Sequence, residues 1–183
     1  VCLRYDSVGG VVTAFDNVAS NTLDNTPTYI ENGSAVVLDS NVQIFDAELS
    51  AANNFSGATL MLARNGGANA QDVFSASGTL NALTQGGNLV VGGVTIGTVT
   101  THSAGTLLLT FNASATNARV NSVMQQIAYS NASDTPLASV QIDWGFGDGN
   151  SGSQGTGGAL TATGSTTVTI SAVNDAPAFT GLD

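Results

Sequence analysis

Lysine is absent from this chain of 183 residues, and the only basic residues are Arg4, Arg64 and Arg119. Thirteen acidic residues oppose them, which gives a net charge of −10 at neutral pH. A surface of this sign repels phosphate backbones and anionic lipid headgroups, so binding to nucleic acid and to membrane surfaces is disfavoured. The same charge balance favours the binding of cations.

Cysteine and histidine are nearly absent as well, since each occurs once, as Cys2 and His102. No disulfide can form within the chain, and His102 is predicted to lie at the surface. Without lysine, no Schiff base can form with a substrate. Apart from His102, the serines also lack a histidine that could act as their general base. Two carboxylate pairs are candidates for glycoside hydrolysis, Asp143 with Asp148 and Asp46 with Glu48. Aromatic residues that would hold a sugar substrate make up only 6%, so we predict that the protein is not an enzyme.

Long hydrophobic runs are also missing, because no apolar stretch approaches the roughly 20 residues that span a bilayer. Hydrophobic residues nevertheless make up 42% of the chain, which is enough for a packed core. Threonine, serine, asparagine and glycine supply most of the polarity, a composition typical of secreted bacterial surface proteins. We therefore predict a secreted, extracellular protein at the cell surface.

What the sequence does contain is a series of short apolar segments separated by glycine, asparagine and aspartate turns. Short strands at this spacing indicate an all-β sandwich or a barrel-like domain. The predicted strands are 28–33, 35–38, 42–45, 58–64, 72–75, 79–83, 88–91, 94–101, 106–111, 139–146 and 165–173, with an apolar run at 8–15. Residues 46–48 directly follow the predicted strand at 42–45, and a polar loop is predicted from there to residue 57. The glycine-rich segment 147–158 is predicted to be a flexible hairpin connection.

One segment, residues 115–128, departs from the strand pattern. Val120, Val123, Met124 and Ile127 recur at the spacing of one helical face, which predicts an amphipathic helix packed on the β-core. If this face of the helix is buried, Gln125 is expected to face solvent.

Five short blocks occur in an order that resembles a known repeat. They are Glu-Asn-Gly at 31–33, Asp-Ala-Glu at 46–48, a helical Val…Ile-Ala-Tyr-Ser-Asn block at 120–131, Asp-Gly-Asn-Ser-Gly at 148–152, and Asn-Asp-Ala-Pro at 174–177. The order resembles the cadherin-like tandem repeats of giant bacterial surface adhesins, whose units end in a Val-Asn-Asp-Ala-Pro junction. The resemblance implies a cadherin-like, immunoglobulin-like β-sandwich with one short inserted helix around 115–128. The repeat would span 22–176, with an N-terminal linker or added strand at 1–21 and the start of the next linker at 177–183.

The resemblance also implies Ca²⁺ at one end of the sandwich. Hard oxygen ligands on a stiff exit segment suit this ion, which takes six to eight oxygens. Asp46 and Glu48 would project to the same face if their segment is extended, with Asp143 as a further contributor, whereas Asp39 and Asp72 are expected to be solvated turn residues. The predicted metal ligands are Glu31, Asp46, Glu48, Asn174, Asp175 and Asp148.

These expectations favour a mechanical function. The chain would be a calcium-stiffened spacer of a surface adhesin or of an extracellular filament. Its partners would be adjacent repeats or copies of itself, including a head-to-tail fibre formed through residues 8–15. The alternative is a glycan-binding module of a secreted protein, which would use the 147–158 loop to bind cell-surface or matrix glycan.

Overall fold

The computed structural model describes residues 23–152, 154–155 and 157–177. The predicted strand at 8–15 and most of the predicted linker, residues 178–183, lie outside the described residues. The described elements, in chain order, are β1 (Thr28–Ile30), β2 (Val36–Val37), α1 (Ala47–Ala52), β3 (Thr59–Arg64), β4 (Asp72–Ala76), β5 (Asn88–Val91), β6 (Val94–Ser103), β7 (Thr106–Phe111), α2 (Asn117–Met124), β8 (Ile127–Asn131), β9 (Ser139–Gly147) and β10 (Thr161–Ser171).

The strands form two sheets that enclose one core, which confirms the predicted all-β sandwich class. The large sheet has the order β1-β10-β9-β3-β7-β6-β5, and the small sheet has the order β2-β8-β4. Alternation places every second side chain of a strand on the inner face. Leu60, for example, pairs with Leu109 on one side and with Phe146 on the other, and all three are buried.

Helix α2 confirms the predicted amphipathic helix, although it is shorter than predicted. Val120, Val123 and Met124 are buried, and the helix ends after Met124. Ile127 instead begins β8, where it pairs with Ala76. The expectation for Gln125 was wrong, because this residue is half-buried and its Nε2 donates to the Val42 carbonyl at 3.0 Å.

A second helix, α1, occupies Ala47–Ala52, within the segment that was predicted to be a polar loop. The Asp46 carboxylate caps it, since Oδ1 accepts from the amides of Glu48 at 3.1 Å and Leu49 at 2.8 Å. Leu49 is buried and fixes the helix to the core. The condition under which Asp46 and Glu48 would project to the same face, an extended segment, is therefore not met.

A buried ionic network joins the two sheets, and it corrects the prediction that Asp72 is solvated. Asp72 accepts from Arg64 Nη2 at 2.6 Å and Nε at 2.7 Å, and from the Tyr129 hydroxyl at 2.6 Å. Asn131 Nδ2 adds a bond of 3.1 Å to the same carboxylate. The bond to Asp72 raises the pKa of Arg64, while burial and then Asp72 raise the pKa of the Tyr129 hydroxyl. Because Arg64 ends β3 and its partners lie in β4 and β8, the network ties the large sheet to the small one.

Two other side chains are more buried than predicted. Asp39 is fully buried rather than solvated, and its Oδ2 accepts from the backbone amides of Asp24 and Asn25 at 3.1 and 3.0 Å. His102, predicted to lie at the surface, is half-buried, with Nε2 lying 2.8 Å from the Phe74 carbonyl. Asp39 thus anchors the backbone at residues 24 and 25.

The course of the chain along β10 defines two ends of the large sheet. Leu23 lies beside Gly164, near the start of β10, since a Cβ added at Gly164 would lie 2.7 Å from Leu23 Cδ2. The chain then runs towards the end of β10, where Thr28 pairs in parallel with Thr169. It leaves after Ser171, at the other end of the strand. Strand rise places these ends, at 161 and 171, roughly 33 Å apart. We call them the entry end, at Thr161, and the exit end, at Ser171.

Candidate calcium ligands at the two ends of the sheet

Glu31 is the most constrained candidate ligand, and it lies at the exit end. It directly follows β1, and its backbone amide donates to the Ser171 carbonyl at 3.0 Å. Its carboxylate Oε2 accepts from the Val173 amide at 2.7 Å, and the residue is only 3% exposed. The other oxygen, Oε1, is buried without a hydrogen-bond partner among the described residues. A buried carboxylate oxygen left unpaired is costly, and a cation is a natural partner for it.

Asn174 and Asp175 continue from Val173 and are both exposed at this end. Asn174 Nδ2 donates to the Asp175 backbone carbonyl at 3.3 Å, so the side-chain amide oxygen is not used in that bond. Glu31, Asn174 and Asp175 therefore share the exit end, as the sequence predicted.

The exit end also carries exposed apolar side chains. Ile30, Leu137 and Val173 are 57%, 61% and 47% exposed. Ile30 pairs with Ser171, and the Ala138 carbonyl, next to Leu137, accepts from the Ile170 amide at 2.8 Å, which places these residues around Glu31. The exit end is thus apolar as well as acidic.

Asp46, Glu48 and Asp148 lie at the entry end, where they line one cleft of about 590 Å³. Asp148 Oδ1 accepts from the amides of Asn150 at 2.9 Å and Leu160 at 3.0 Å, and so closes the hairpin connection between β9 and β10. The prediction that 147–158 forms a hairpin connection is thus confirmed. Glu48 is exposed on α1.

Asp143 does not join this group. It lies on β9, where Oδ2 accepts from Asn65 Nδ2 and Oδ1 accepts from Gln141 Nε2, both at 2.8 Å. Its register partners are Ala63 and Ser165, four positions along β9 from the Gly147 end. The sequence wrongly grouped Asp143 with Asp148.

The prediction that the acidic ligands meet at one end of the sandwich was therefore wrong. Glu31 follows β1, which runs parallel to the last residues of β10, whereas Asp148 follows β9, which pairs with the first residues of β10. Among the residues that the structure describes, no three Asp, Glu, His or Cys side chains are grouped closely enough to hold a metal ion. The six predicted ligands are thus divided between the two ends of the large sheet.

The cleft at the entry end includes residues that the sequence did not identify as functional. Phe45 and Leu160 are 80% and 75% exposed there. Gln154 Nε2 donates to the Asp148 carbonyl at 3.1 Å, which leaves the buried Gln154 Oε1 without a partner among the described residues. In the sequence, the one signal for this cleft was Phe45, at the end of a predicted strand beside a predicted loop. A phenylalanine in that position identifies no ligand by itself.

Comparison with known protein families, curated proteins and solved structures gives no match to this chain. In the described part of the chain, no helix is long and apolar enough to cross a membrane.

Proposed function

We propose that this chain is an extracellular structural and adhesive repeat, a calcium-stiffened spacer of a bacterial surface adhesin or extracellular filament. One observation supports the proposal: the described chain begins beside the first half of β10 and leaves at the other end of that strand, and predicted oxygen ligands lie at both ends. A unit built in this way transmits force along the strands and presents its ligands to its neighbours. The proposed function is mechanical, and it includes no catalytic step.

In a tandem array the exit end of one copy faces the entry end of the next. Glu31, Asn174 and Asp175 of the first copy then approach the acidic side chains at the entry end of the second. Together the two ends offer six oxygen-bearing side chains, Glu31, Asn174, Asp175, Asp46, Glu48 and Asp148. Ca²⁺ takes six to eight oxygen ligands, so a subset of these side chains, together with backbone carbonyls and water, would complete its coordination. Without a cation, the like charges of the two ends repel each other.

The fit of Ca²⁺ to the exit end is supported by the unpaired buried oxygen of Glu31. The same carboxylate holds the backbone at Val173, so a ligand on Oε1 is coupled to the path of the departing chain. Pro177 restricts its own φ and keeps Ala176 extended, which stiffens the segment further. When bound, the ion would supply positive charge that offsets the repulsion between the two ends.

Calcium is expected to raise the melting temperature of two copies joined in tandem. At a Ca²⁺ concentration ten times the dissociation constant, mass action adds about 1.4 kcal/mol, which for a domain of this size is a shift of roughly 3–6 °C. Differential scanning calorimetry in EDTA and in 10 mM Ca²⁺, with Mg²⁺ as a comparison ion, measures the shift. Extracellular modules bind Ca²⁺ at about 0.1–1 mM, so this concentration is sufficient.

Glu31→Gln preserves the size of the side chain but removes its charge, and it should abolish most of this shift. Asp143→Asn removes a carboxylate that lies outside both ends, and it should leave the shift unchanged. An identical melting temperature for the unsubstituted tandem protein in EDTA and in Ca²⁺ would contradict the proposal.

A glycan-binding module is the second candidate, and the exposed Phe45 at the entry cleft favours it. An aromatic face beside carboxylate and amide groups is a common arrangement for a sugar ring. If the cleft binds glycan, Phe45→Ala should abolish retention on a glycan array without a change in melting temperature. An array on which the unsubstituted chain binds nothing would remove this candidate and would leave the spacer untouched.

A further inference from the structure

A groove crosses the outer face of the large sheet, over the neighbouring strands β3, β9 and β10. Leu60 and Leu62 of β3 are buried, so Met61 between them points away from the core, and it is 48% exposed. In register with Met61 lie Gly145 on β9 and Thr163 on β10. The groove around these three residues has a volume of about 590 Å³. It lies on the face of the sheet, whereas the entry cleft lies at its end.

Gly145 forms the floor of this groove, and the described residues give no packing reason for a glycine there. Its φ is not positive, and a Cβ added to it would come no closer than 3.8 Å to a residue beyond its chain neighbours, at Thr161 Cγ2. A Cβ added at the other strand glycines, Gly97, Gly147 and Gly164, would lie 2.9 Å or less from a neighbouring atom. Glycine weakens the interior of a strand, and it often marks a place where a ligand approaches the backbone closely. This position therefore indicates a ligand site.

A preorganised polar group lies at one end of the groove. Asp143, two residues before Gly145, lines the groove together with Gln141. The Asp143 Oδ1 accepts from Gln141 Nε2, and its Oδ2 accepts from Asn65 Nδ2, both at 2.8 Å. These bonds hold the carboxylate in place, and each of its oxygens retains a second lone pair for a ligand. Because each amide group also has a carbonyl oxygen and a second N–H, this end offers both donors and acceptors.

The two walls of the groove differ in chemistry. Thr161, Thr163 and Ser165 form one wall, because every second residue of β10 faces outwards, and all three are exposed. Each of their hydroxyl groups can donate and accept a hydrogen bond. Met61 forms the opposite wall with a flexible apolar side chain, which adapts to the shape of its partner. A ligand that fits both walls has hydroxyl groups on one side and an apolar face on the other.

The charge around the groove excludes an anionic ligand. Asp143 contributes a carboxylate, and the chain as a whole carries a net charge of −10. Among the described residues that line the groove, Arg64 is the one basic residue, and its guanidinium is bound to Asp72 at 2.6 and 2.7 Å. The guanidinium is thus already paired with a buried carboxylate. A negative charge on the ligand would therefore be repelled.

We propose that this groove binds a neutral oligosaccharide. The apolar face of a sugar ring packs on Met61 above the floor at Gly145. Its hydroxyl groups bond to Asp143, to Gln141 and to the hydroxyl wall of β10, since a sugar hydroxyl both donates and accepts. The volume of the groove is within the range of small-molecule sites, roughly 300–1,000 Å³. The proposal is independent of calcium, and its site is separate from the entry cleft at Phe45.

A glycan array that displays neutral oligosaccharides and oligosaccharides with uronic or sialic acids tests the proposal on the full chain. Only neutral oligosaccharides should bind, and isothermal titration calorimetry then gives the affinity for the strongest of them. Gly145→Val fills the floor with a residue that suits a strand, and it should lower this affinity at least about tenfold with no loss in melting temperature. Asp143→Asn keeps the size of the side chain but removes the carboxylate, and it should lower the affinity by about tenfold or more.

Two control variants lie outside the groove. Thr98→Ile adds an apolar side chain to an exposed position on the same face of the sheet, at β6, and should leave the affinity unchanged. Phe45→Ala should also leave it unchanged, because Phe45 lies at the entry cleft. If Gly145→Val lowers the melting temperature, the comparison of Asp143→Asn with Thr98→Ile decides the outcome.

The proposal is supported if Gly145→Val and Asp143→Asn lose affinity while both controls keep it. Full affinity in a folded Gly145→Val variant overturns the proposal. Loss of affinity in Phe45→Ala alone also overturns it and assigns the glycan to the entry cleft. An array that retains the chain only on acidic oligosaccharides, or on none, overturns it as well. None of these results changes the expected effect of Ca²⁺ on the melting temperature, so the two proposals fail separately.

Discussion

Asp72→Ala is expected to lower the free energy of unfolding by roughly 3–5 kcal/mol, the usual cost of removing one partner of a buried ion pair. The Asp72 side chain is fully buried, and the Arg64 side chain is only 15% exposed. The substitution leaves the guanidinium without its counter-charge and the Tyr129 hydroxyl without its acceptor. Urea denaturation at pH 7, followed by tryptophan fluorescence, measures the loss.

Asp143→Ala is the matched control for this substitution. Asp143 also accepts two side-chain hydrogen bonds, from Asn65 and Gln141, but these bonds are exposed to solvent. Exposed polar contacts contribute little, so we expect a change below about 1 kcal/mol. Asp72→Asn removes the charge of the side chain but keeps its shape. Its loss in free energy of unfolding should fall between those of Asp72→Ala and Asp143→Ala. A loss for Asp72→Ala as small as that for Asp143→Ala would mean that the network does not hold the sheets together.

The parts of the fold that follow from local periodicity were predictable from the sequence. Leu60 and Leu62 alternate with polar or exposed neighbours in β3, and period-2 patterning is what a sheet with one buried face requires. Val120, Val123 and Met124 identified the buried face of α2 for the same reason, at the helical period. In both cases the residues that determine the element lie within one short window.

Helix α1 was missed although its signals were present in the sequence. Asp46 is a good N-cap residue, and Ala47, Glu48, Leu49 and Ala51 are good helix formers. The six-residue helix is too short for a hydrophobic period to be recognised. The polar residues that follow, at 53, 54 and 56, favoured a loop instead.

The burial of Asp72 and the positions of the predicted metal ligands depend on contacts between residues that lie far apart in the sequence. Asp72 is buried because Tyr129, 57 residues later, donates to it together with Arg64. Glu31 lies at the exit end because β1 pairs in parallel with the end of β10, and no local pattern encodes that pairing. The candidate ligands could thus be named from the sequence, but their division between two ends could not.

Met124→Asp is expected to destabilise the domain by roughly 3–5 kcal/mol, because it places an unpaired charge in the core. Met124 is 4% exposed and lies in the same core cluster as Val120 and Val123. As the last residue of α2, it would also bring a negative charge to the negative end of the helix dipole. Thermal and urea denaturation, compared with the unsubstituted chain, measure the effect.

The control for Met124→Asp must lie on the outer face of α2, and Gln125 is unsuitable because its side chain holds the Val42 carbonyl. Ala118 is exposed and lies in the first turn, where a carboxylate is favoured by the helix dipole. Ala118→Asp should therefore change the free energy of unfolding by no more than about 0.5 kcal/mol. Comparable losses for the two substitutions would place the buried face of α2 elsewhere. A large loss for Met124→Asp alone, with a silent Ala118→Asp, is the result that a helix packed on the sandwich through Val120, Val123 and Met124 requires.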